Sequence, residues 1–337
     1  MYYVVMKDRD IRDNLATEQY LMNNVKFDEP LVLFYIEKPC IIVGRNQNTI
    51  EEINSDYIKD HNITVTRRIS GGGAVYQDLG NLCFSFMVDS DDKNFGDFKS
   101  FTQPIIDALH QMGATTAEVS GRNDLLVDGK KFSGNAMYSK NGKTFSHGTL
   151  SLDVDLDVLT DALHVSKDKI ASKGIKSIRS RVTNLRPYLA PEYQDLTTEQ
   201  FRDKLLLELF HANSLDEIKD REYIVSADQQ KEIDKIKEQY YYNWDWVYGK
   251  SPAFTAKQRK HFDMGTVDVR YSIDDGKVKN VEIYGDFFGM KDVSDIKQKL
   301  LNVKFDRDEI LNVLNKFNLD DYFKGIPKED LGKLFTP

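Results

Sequence analysis

Cysteine is almost missing from this sequence. Two thiols among 337 residues, Cys40 and Cys83, cannot build a disulfide framework, and nothing around either is spaced to bind a metal. Long apolar runs are also missing. The longest, Leu31 to Ile36, is far too short to cross a bilayer. Met1 to Met6 leads straight into Lys7-Asp8-Arg9-Asp10 and offers no apolar region of the kind that directs secretion. A basic surplus is lacking as well: 46 Lys and Arg against 54 Asp and Glu give a net charge of -8. A general nucleic-acid binder depends on the opposite balance. No internal repeat or low-complexity tract is visible. What these absences leave is a cytoplasmic globular protein of one to three domains, with neither membrane nor nucleic acid as a partner.

The remaining pattern is mixed. Leu31 to Ile36 and Cys40 to Val43 are short apolar runs separated by Lys38-Pro39, which predicts two strands and a turn. Phe101, Ile105, Leu109 and Met112 follow helical spacing, and Gly113 stands where a helix would end; Pro104 requires the helix to start near it or bend there. Asp128-Gly129 and Asn141-Gly142 are tight-turn signals between three strand-like stretches and predict an antiparallel meander. Thr197 with Gln200 and Ser226 with Gln229 form capping boxes at the starts of two helices. The aromatic stretch around Trp244, Trp246 and Tyr248 reads as packing against the large domain rather than as a docking surface. From Val267, an alternating strand, a turn at Asp275-Gly276, a returning strand and helical patterns predict a small αβ unit. Its boundary is expected between Ser251 and Lys257.

Three groups of residues carry candidate chemistry. Arg67-Arg68-Ile69-Ser70-Gly71-Gly72-Gly73-Ala74-Val75-Tyr76 combines two arginines with three consecutive glycines. Without side chains, such a backbone can approach a ligand closely and aim N–H groups at an anion, while Arg68 adds planar donors suited to phosphate. Neither a P-loop nor a dinucleotide fingerprint is present. The second group lies on the meander: Asp124, Lys131 followed by Ser133-Gly134, and His147. Lys131 has open space before its ammonium and can hold a carboxylate and a phosphate together. Asp124 is a candidate partner for a divalent cation such as the Mg²⁺ that accompanies a nucleotide's phosphates. Lys130 is expected on the opposite face of the strand. The third group is a basic run, Lys167, Lys169, Lys173, Lys176, Arg179 and Arg181 against the single acid Asp168, which reads equally as a solvated helix face or an anion site.

RISGGGAVYQDLGN from Arg68, GRNDL from Gly121, KFSGNA from Lys131, HGTL from His147 and RSRVTNL from Arg179 together resemble the lipoate–protein ligases. The likeness runs in order over most of residues 1–250 and continues into the small unit. It implies an α+β fold shared with biotin ligases: a mixed β-sheet with packed helices over residues 1–250, plus a small αβ accessory domain over residues 257–337 that closes on the adenylate. It further implies ATP-dependent activation of lipoate, with octanoate also accepted, and transfer to a lysine of lipoyl domains in 2-oxoacid dehydrogenase complexes or of the glycine-cleavage carrier protein. Lys131 matches the central lysine of the family. Arg68, Gly73, Ala74, Val75, Tyr76, Lys131, Lys173, Arg179 and Arg181 match its ATP-binding positions. Lipoate would lie against Gly71, Gly72, Gly73, Lys131 and His147. The rival readings are an ATP-independent lipoyl or octanoyl transferase, which requires an activated cysteine, and a lipoate-binding module without catalysis. Cys40 and Cys83 both lie in strand-like runs, where a thiol is buried rather than activated.

Overall fold

The computed structural model describes residues 1–89, 95–163, 181–248 and 256–336. In chain order its strands are β1 (Tyr2–Val5), β2 (Leu31–Tyr35), β3 (Cys40–Val43), β4 (Thr64–Arg67), β5 (Val75–Gln77), β6 (Asn81–Asp89), β7 (Glu118–Ser120), β8 (Asp124–Val127), β9 (Lys130–Lys140), β10 (Lys143–Ser151), β11 (Ala256–Phe262), β12 (Gly265–Asp274) and β13 (Lys277–Gly285). Seven of them form one sheet in the order β1-β2-β6-β10-β9-β8-β7. Only β1 and β2 pair in parallel there, so the sheet is mixed. A second sheet has the order β4-β3-β5, and a third β11-β12-β13. The fold is α+β, as expected.

Because β2 is buried on both faces, it reads as a continuous apolar run, and its alternate residues feed two different cores. Val32 and Phe34 join Phe84 and Phe86 of β6 and the helices Phe98–Gln111 and Thr198–Phe210 on one face. Leu31, Leu33 and Tyr35 join Cys83, Phe145 and the helix Ile11–Asn24 on the other. The meander has the turns its sequence predicts. Asp128 and Gly129 take φ of 48° and 73°, and Asn141 and Gly142 take 52° and 74°. Both sites thus hold two successive left-handed residues, which Asp, Asn and Gly tolerate best. Both capping boxes form. The helix Phe98–Gln111 continues through Pro104, one of its interior positions, and ends before Gly113 at φ 100°.

Residues 256–335 build a core of their own, in which β12 and β13 pack beneath the helices Ser294–Leu300, Arg307–Leu314 and Lys328–Phe335. Sequence patterning does not reveal β11, whose mostly exposed Lys, Gln, Arg and His give no apolar rhythm. This small unit touches the large sheet region at defined points. Arg270 makes a bidentate pair with Glu51 (2.7 and 2.8 Å), Arg45 pairs with Asp292, and Gly285 N–H donates to Asn46 O. Phe288 inserts into the large core, 5.5 Å from Phe98, with the Arg122 guanidinium 4.5 Å above its ring. The aromatic stretch divides. Trp246 packs inward and donates its indole N–H to Arg67 O (2.9 Å), whereas Trp244 is exposed and stacks on Tyr248.

Candidate active site

A pocket of roughly 590 Å³, counting its open mouth, lies between the seven-stranded sheet, the helix Ile11–Asn24 and the loop joining β4 to β5. Leu15, Tyr35, Ile42, Val75, Cys83 and Ala136 supply its apolar lining. Lys131, Asn123 and His147 supply polar side chains, and Gly72, Gly73 and Ala74 supply bare backbone.

The two arginines before the glycines have separate tasks, and both are buried. Arg67 staples the neighbouring loop by donating to the carbonyls of Gly44, Arg45, Gln47, Trp246 and Val247. Arg68 holds the glycine loop itself. It donates to Gly71 O (2.8 Å), Gly73 O (2.7 Å), Ile42 O (3.1 Å) and Ser70 Oγ (3.1 Å). Burial pulls both guanidinium groups down to about 10, so both stay charged at neutral pH. With its carbonyls turned onto Arg68, the loop keeps its amides in reserve. Among the described residues, the N–H groups of Gly72, Gly73 and Ala74 donate to no backbone carbonyl. Gly44 allows this loop to come close, since a Cβ there would lie 1.9 Å from Gly72 O.

Lys131 stands on β9 where the sheet opens. The pairing of β9 with β10 stops at Asn135 and Gly148, and residues 181–185 occupy the gap beyond. Lys131 N–H donates to Arg181 O and Thr183 N–H to Lys131 O, both 2.8 Å, while Leu185 N–H donates to Ser151 O. The Lys131 ammonium reaches back over Gly134, where a Cβ would lie 3.0 Å from Nζ. It pairs with Asp124 at 2.7 Å, and Arg181 pairs with the other oxygen of the same carboxylate at 3.1 Å. All three groups are partly exposed to solvent.

The opposite wall is buried throughout. His147 donates from Nδ1 to Glu18 (3.0 Å), and its Nε2 meets Ser70 Oγ at 2.7 Å. Glu18 carries no obvious local signal, being 129 residues from its partner. The cue is helical position: it stands three residues from both Leu15 and Leu21, so an acid falls on the buried stripe. Beneath the pocket, Cys83 donates its S–H to Gln77 Oε1 at 2.7 Å, and burial pushes the thiol well above its ordinary range.

The expected site residues are thus distributed unevenly. Gly72, Gly73, Ala74, Val75, Arg68, Lys131 and His147 line one pocket. Gly71 and Tyr76 do not. Gly71 faces the small unit, where a Cβ would meet Phe287 O at 2.6 Å, and Tyr76 turns into the core beside Ile41. Lys173 and Arg179 lie outside the described residues. Asp124 has one carboxylate oxygen on Lys131 and the other on Arg181, and no group of three or more His, Cys, Asp or Glu suited to a metal occurs among the described residues. These residues do not fit a resident metal ion. Nor does any helix among the described residues have the length and apolarity to cross a membrane.

Comparison with known proteins adds to this geometry. Residues 10–210 match the family model of the lipoyl protein ligase A/B catalytic domain, and residues 251–335 match that of the bacterial lipoate protein ligase C-terminus. The chain is 47% identical to the lipoate-protein ligase LplJ of Bacillus subtilis over 95% of each chain. It is 42% identical to lipoate–protein ligase 1 of Staphylococcus aureus over 96% of each. Among solved structures, LipL1 of P. falciparum in complex with lipoate superposes with a TM-score of 0.79 at 25% identity, covering 98% of this chain and 97% of that one. A bipartite lipoate protein ligase from Thermoplasma acidophilum superposes with a TM-score of 0.63 at 26% identity, covering 76% and 98%.

Proposed function

This chain belongs to the lipoate–protein ligase family and is an enzyme of that class; from this premise we propose that it activates lipoate with ATP and passes the acyl group to a lysine of an acceptor domain. One observation carries the proposal: the Lys131 ammonium shares a pocket with a glycine loop in which the amides of Gly72, Gly73 and Ala74 donate to no backbone carbonyl among the described residues.

A carboxylate is a poor acyl donor at neutral pH and needs a better leaving group. In the first step a lipoate oxygen attacks the α-phosphate of ATP, and pyrophosphate leaves. Two anions must come together for this. Lys131 sits where it can screen both, and the loop amides of Gly72 to Ala74 present donors to phosphate oxygens. Each such charge-assisted bond contributes about 1.5–3 kcal/mol. Magnesium enters with ATP as part of the substrate, and no step here needs a metal held by the protein. Arg181 lies beside Lys131 and extends the positive edge, and Lys173 and Arg179 are proposed as further nucleotide contacts. In the second step the uncharged amine of the acceptor lysine attacks the acyl carbonyl, a C–N bond forms, and the C–O bond to phosphate breaks to release AMP. Lys131 is then placed to stabilise the oxyanion. Leu15, Tyr35, Ile42 and Ala136 give the apolar tail a slot, which suits octanoate as well as lipoate. We place this chemistry on residues 1–250, with 257–337 as the accessory unit. The acceptors proposed are lipoyl domains of 2-oxoacid dehydrogenase complexes and the glycine-cleavage carrier protein.

The transferase reading needs a nucleophilic thiolate, and Cys83 is the cysteine at the pocket. Its raised pKa and its bond to Gln77 speak against that role. The test combines the protein with ATP, Mg²⁺, lipoate and a purified lipoyl domain, with mass spectrometry of the acceptor. The reading expects a lipoyl adduct and lipoate-dependent pyrophosphate release that survive Cys83→Ala and vanish in Lys131→Ala. Acyl transfer that ignores ATP and depends on Cys83 would overturn it, as would binding without turnover.

A further inference from the structure

Four side chains from three separate elements form one continuous polar chain behind the pocket. Glu18 stands on the helix Ile11–Asn24, His147 on β10, and Ser70 and Arg68 on the glycine loop. All four are buried; Ser70 has no exposed surface at all, and Glu18 has 1%. A buried ion pair whose members stand apart costs stability unless every intervening donor and acceptor is matched. Here they are. Nδ1 of His147 faces both oxygens of Glu18, at 3.0 and 3.1 Å, and carries the proton. In the neutral ring Nε2 then accepts from the Ser70 hydroxyl at 2.7 Å, and Ser70 Oγ accepts from Arg68 Nε at 3.1 Å. Glu18 is also among the negative groups that help to keep the buried Arg68 charged.

We infer that Glu18 is a positioning residue for nucleotide binding: acting through His147 and Ser70, it fixes Arg68 in the orientation that turns the Gly71 and Gly73 carbonyls inward and leaves the loop amides for phosphate. The acyl slot and the nucleotide cradle then share a wall. Leu15, one turn before Glu18, lines the pocket, and so does His147. An acid seated against that ring stiffens the same chain that orders the loop, so acid and nucleotide strengthen each other's binding. The inference rests on the adenylation reading above.

The experiment uses the full chain with Ser70→Ala and Glu18→Gln. Ser70 cuts the chain in the middle, and Glu18→Gln keeps an acceptor for Nδ1 while removing the charge. Calorimetry measures ATP alone, lipoate alone and each in the presence of the other; steady-state kinetics follow. Ser70→Ala is expected to weaken ATP binding and to raise KM for ATP roughly tenfold, with lipoate binding within about twofold of wild type and the mutual enhancement lost. Glu18→Gln is expected to lose about threefold, and the downfield proton-NMR signal of the His147 Nδ1 proton should move in it. A merely structural role would lower the active fraction, and with it kcat, leaving KM for ATP untouched. Should Ser70→Ala fail to fold, as judged by circular dichroism, Glu18→Gln decides. Wild-type ATP affinity and undiminished coupling in the folded variants would overturn the inference alone. Absence of ATP binding in the wild-type protein would overturn it together with the adenylation reading.

Discussion

The pocket has two charged walls, and they are built on opposite terms. On one, Lys131, Asp124 and Arg181 form a short ion chain in partial contact with solvent. On the other, Glu18, His147, Ser70 and Arg68 form a longer chain closed off from it. The difference follows from what each wall must do. A group that exchanges partners with substrates has to be reachable and cheap to unpair. Exposed ion pairs are worth about 0–1 kcal/mol, so Lys131 can leave Asp124 for an incoming anion at little loss. A group that sets geometry has to be expensive to disturb, and burial makes it so, because breaking one member leaves its neighbours unsatisfied in a low-dielectric interior. The working edge is loose, and the supporting wall is not.

The comparison breaks if the two walls respond alike to truncation. Lys131→Ala is expected to lower lipoate-dependent pyrophosphate release by about a thousandfold, the scale of removing a principal transition-state donor. Its melting temperature should hardly change, because the pair it loses is partly solvated. Glu18→Ala should do the reverse in kind. It strands His147 Nδ1 and leaves Arg68 without the anion at the far end of its chain, so the urea midpoint should fall by the equivalent of about 3 kcal/mol. A stable Glu18→Ala variant, or an unfolded Lys131→Ala, would show that the division of labour is wrong.

Gly148→Ala sharpens the same contrast at a backbone position. An added Cβ would lie 2.0 Å from Asn135 Oδ1 and 2.7 Å from Phe84 Cζ. Asn135 is itself held by Asn123 and Ser133, and Phe84 lies in the core, so neither yields easily. A loss of about 2 kcal/mol, measured by denaturant titration, is expected. An equivalent change at Gly129 meets nothing within 4 Å and serves as the steric control, apart from the strain of its positive φ.

What was legible in the sequence follows the same division. Turn chemistry is local, so Asp128-Gly129 and Asn141-Gly142 fix where β8 ends, where β9 begins and ends and where β10 begins, and that places Lys131 before any contact is known. Helix caps are equally local, and both capping boxes appear where Thr197 and Ser226 predict them. The triple glycine announces a backbone that must come close to something. The sequence does not say which way the loop's two arginines turn, because Arg67 and Arg68 are chemically equal and only tertiary packing separates a loop staple from a cradle support. Glu18 is less legible still. Its meaning lies in a histidine 129 residues away, and only its place on the buried stripe marks it. Gly71 and Tyr76 show the converse: both belong to a motif whose neighbouring members line the pocket, yet the Tyr76 side chain turns into the core and Gly71 faces the small unit, placements that the motif alone does not reveal.

Glu37 offers the finest test of the contrast, since it is a second buried acid without the partners that Glu18 enjoys. It follows β2 with no exposed surface, and among the described residues neither carboxylate oxygen has a partner at full hydrogen-bond geometry. Cys83 is near but gives its S–H to Gln77. Burial therefore pushes the Glu37 carboxyl up to about 8 from an ordinary 4.5. The sign follows from proton counting. Between those two values the folded chain holds a proton that the unfolded chain has lost, so stability falls as pH rises through the window and levels off above it. Glu37→Gln has no such proton to lose. Relative to wild type its stability should rise by about 1.4 kcal/mol per pH unit through the window, roughly 3 kcal/mol between pH 4 and pH 7, beside a pH-independent cost for the carboxamide it still buries, and level off above pH 8. Thermal melts of the two proteins across that range provide the measurement. A difference independent of pH would mean that Glu37 is already paired in solution, and that this second buried acid is as fully satisfied as Glu18.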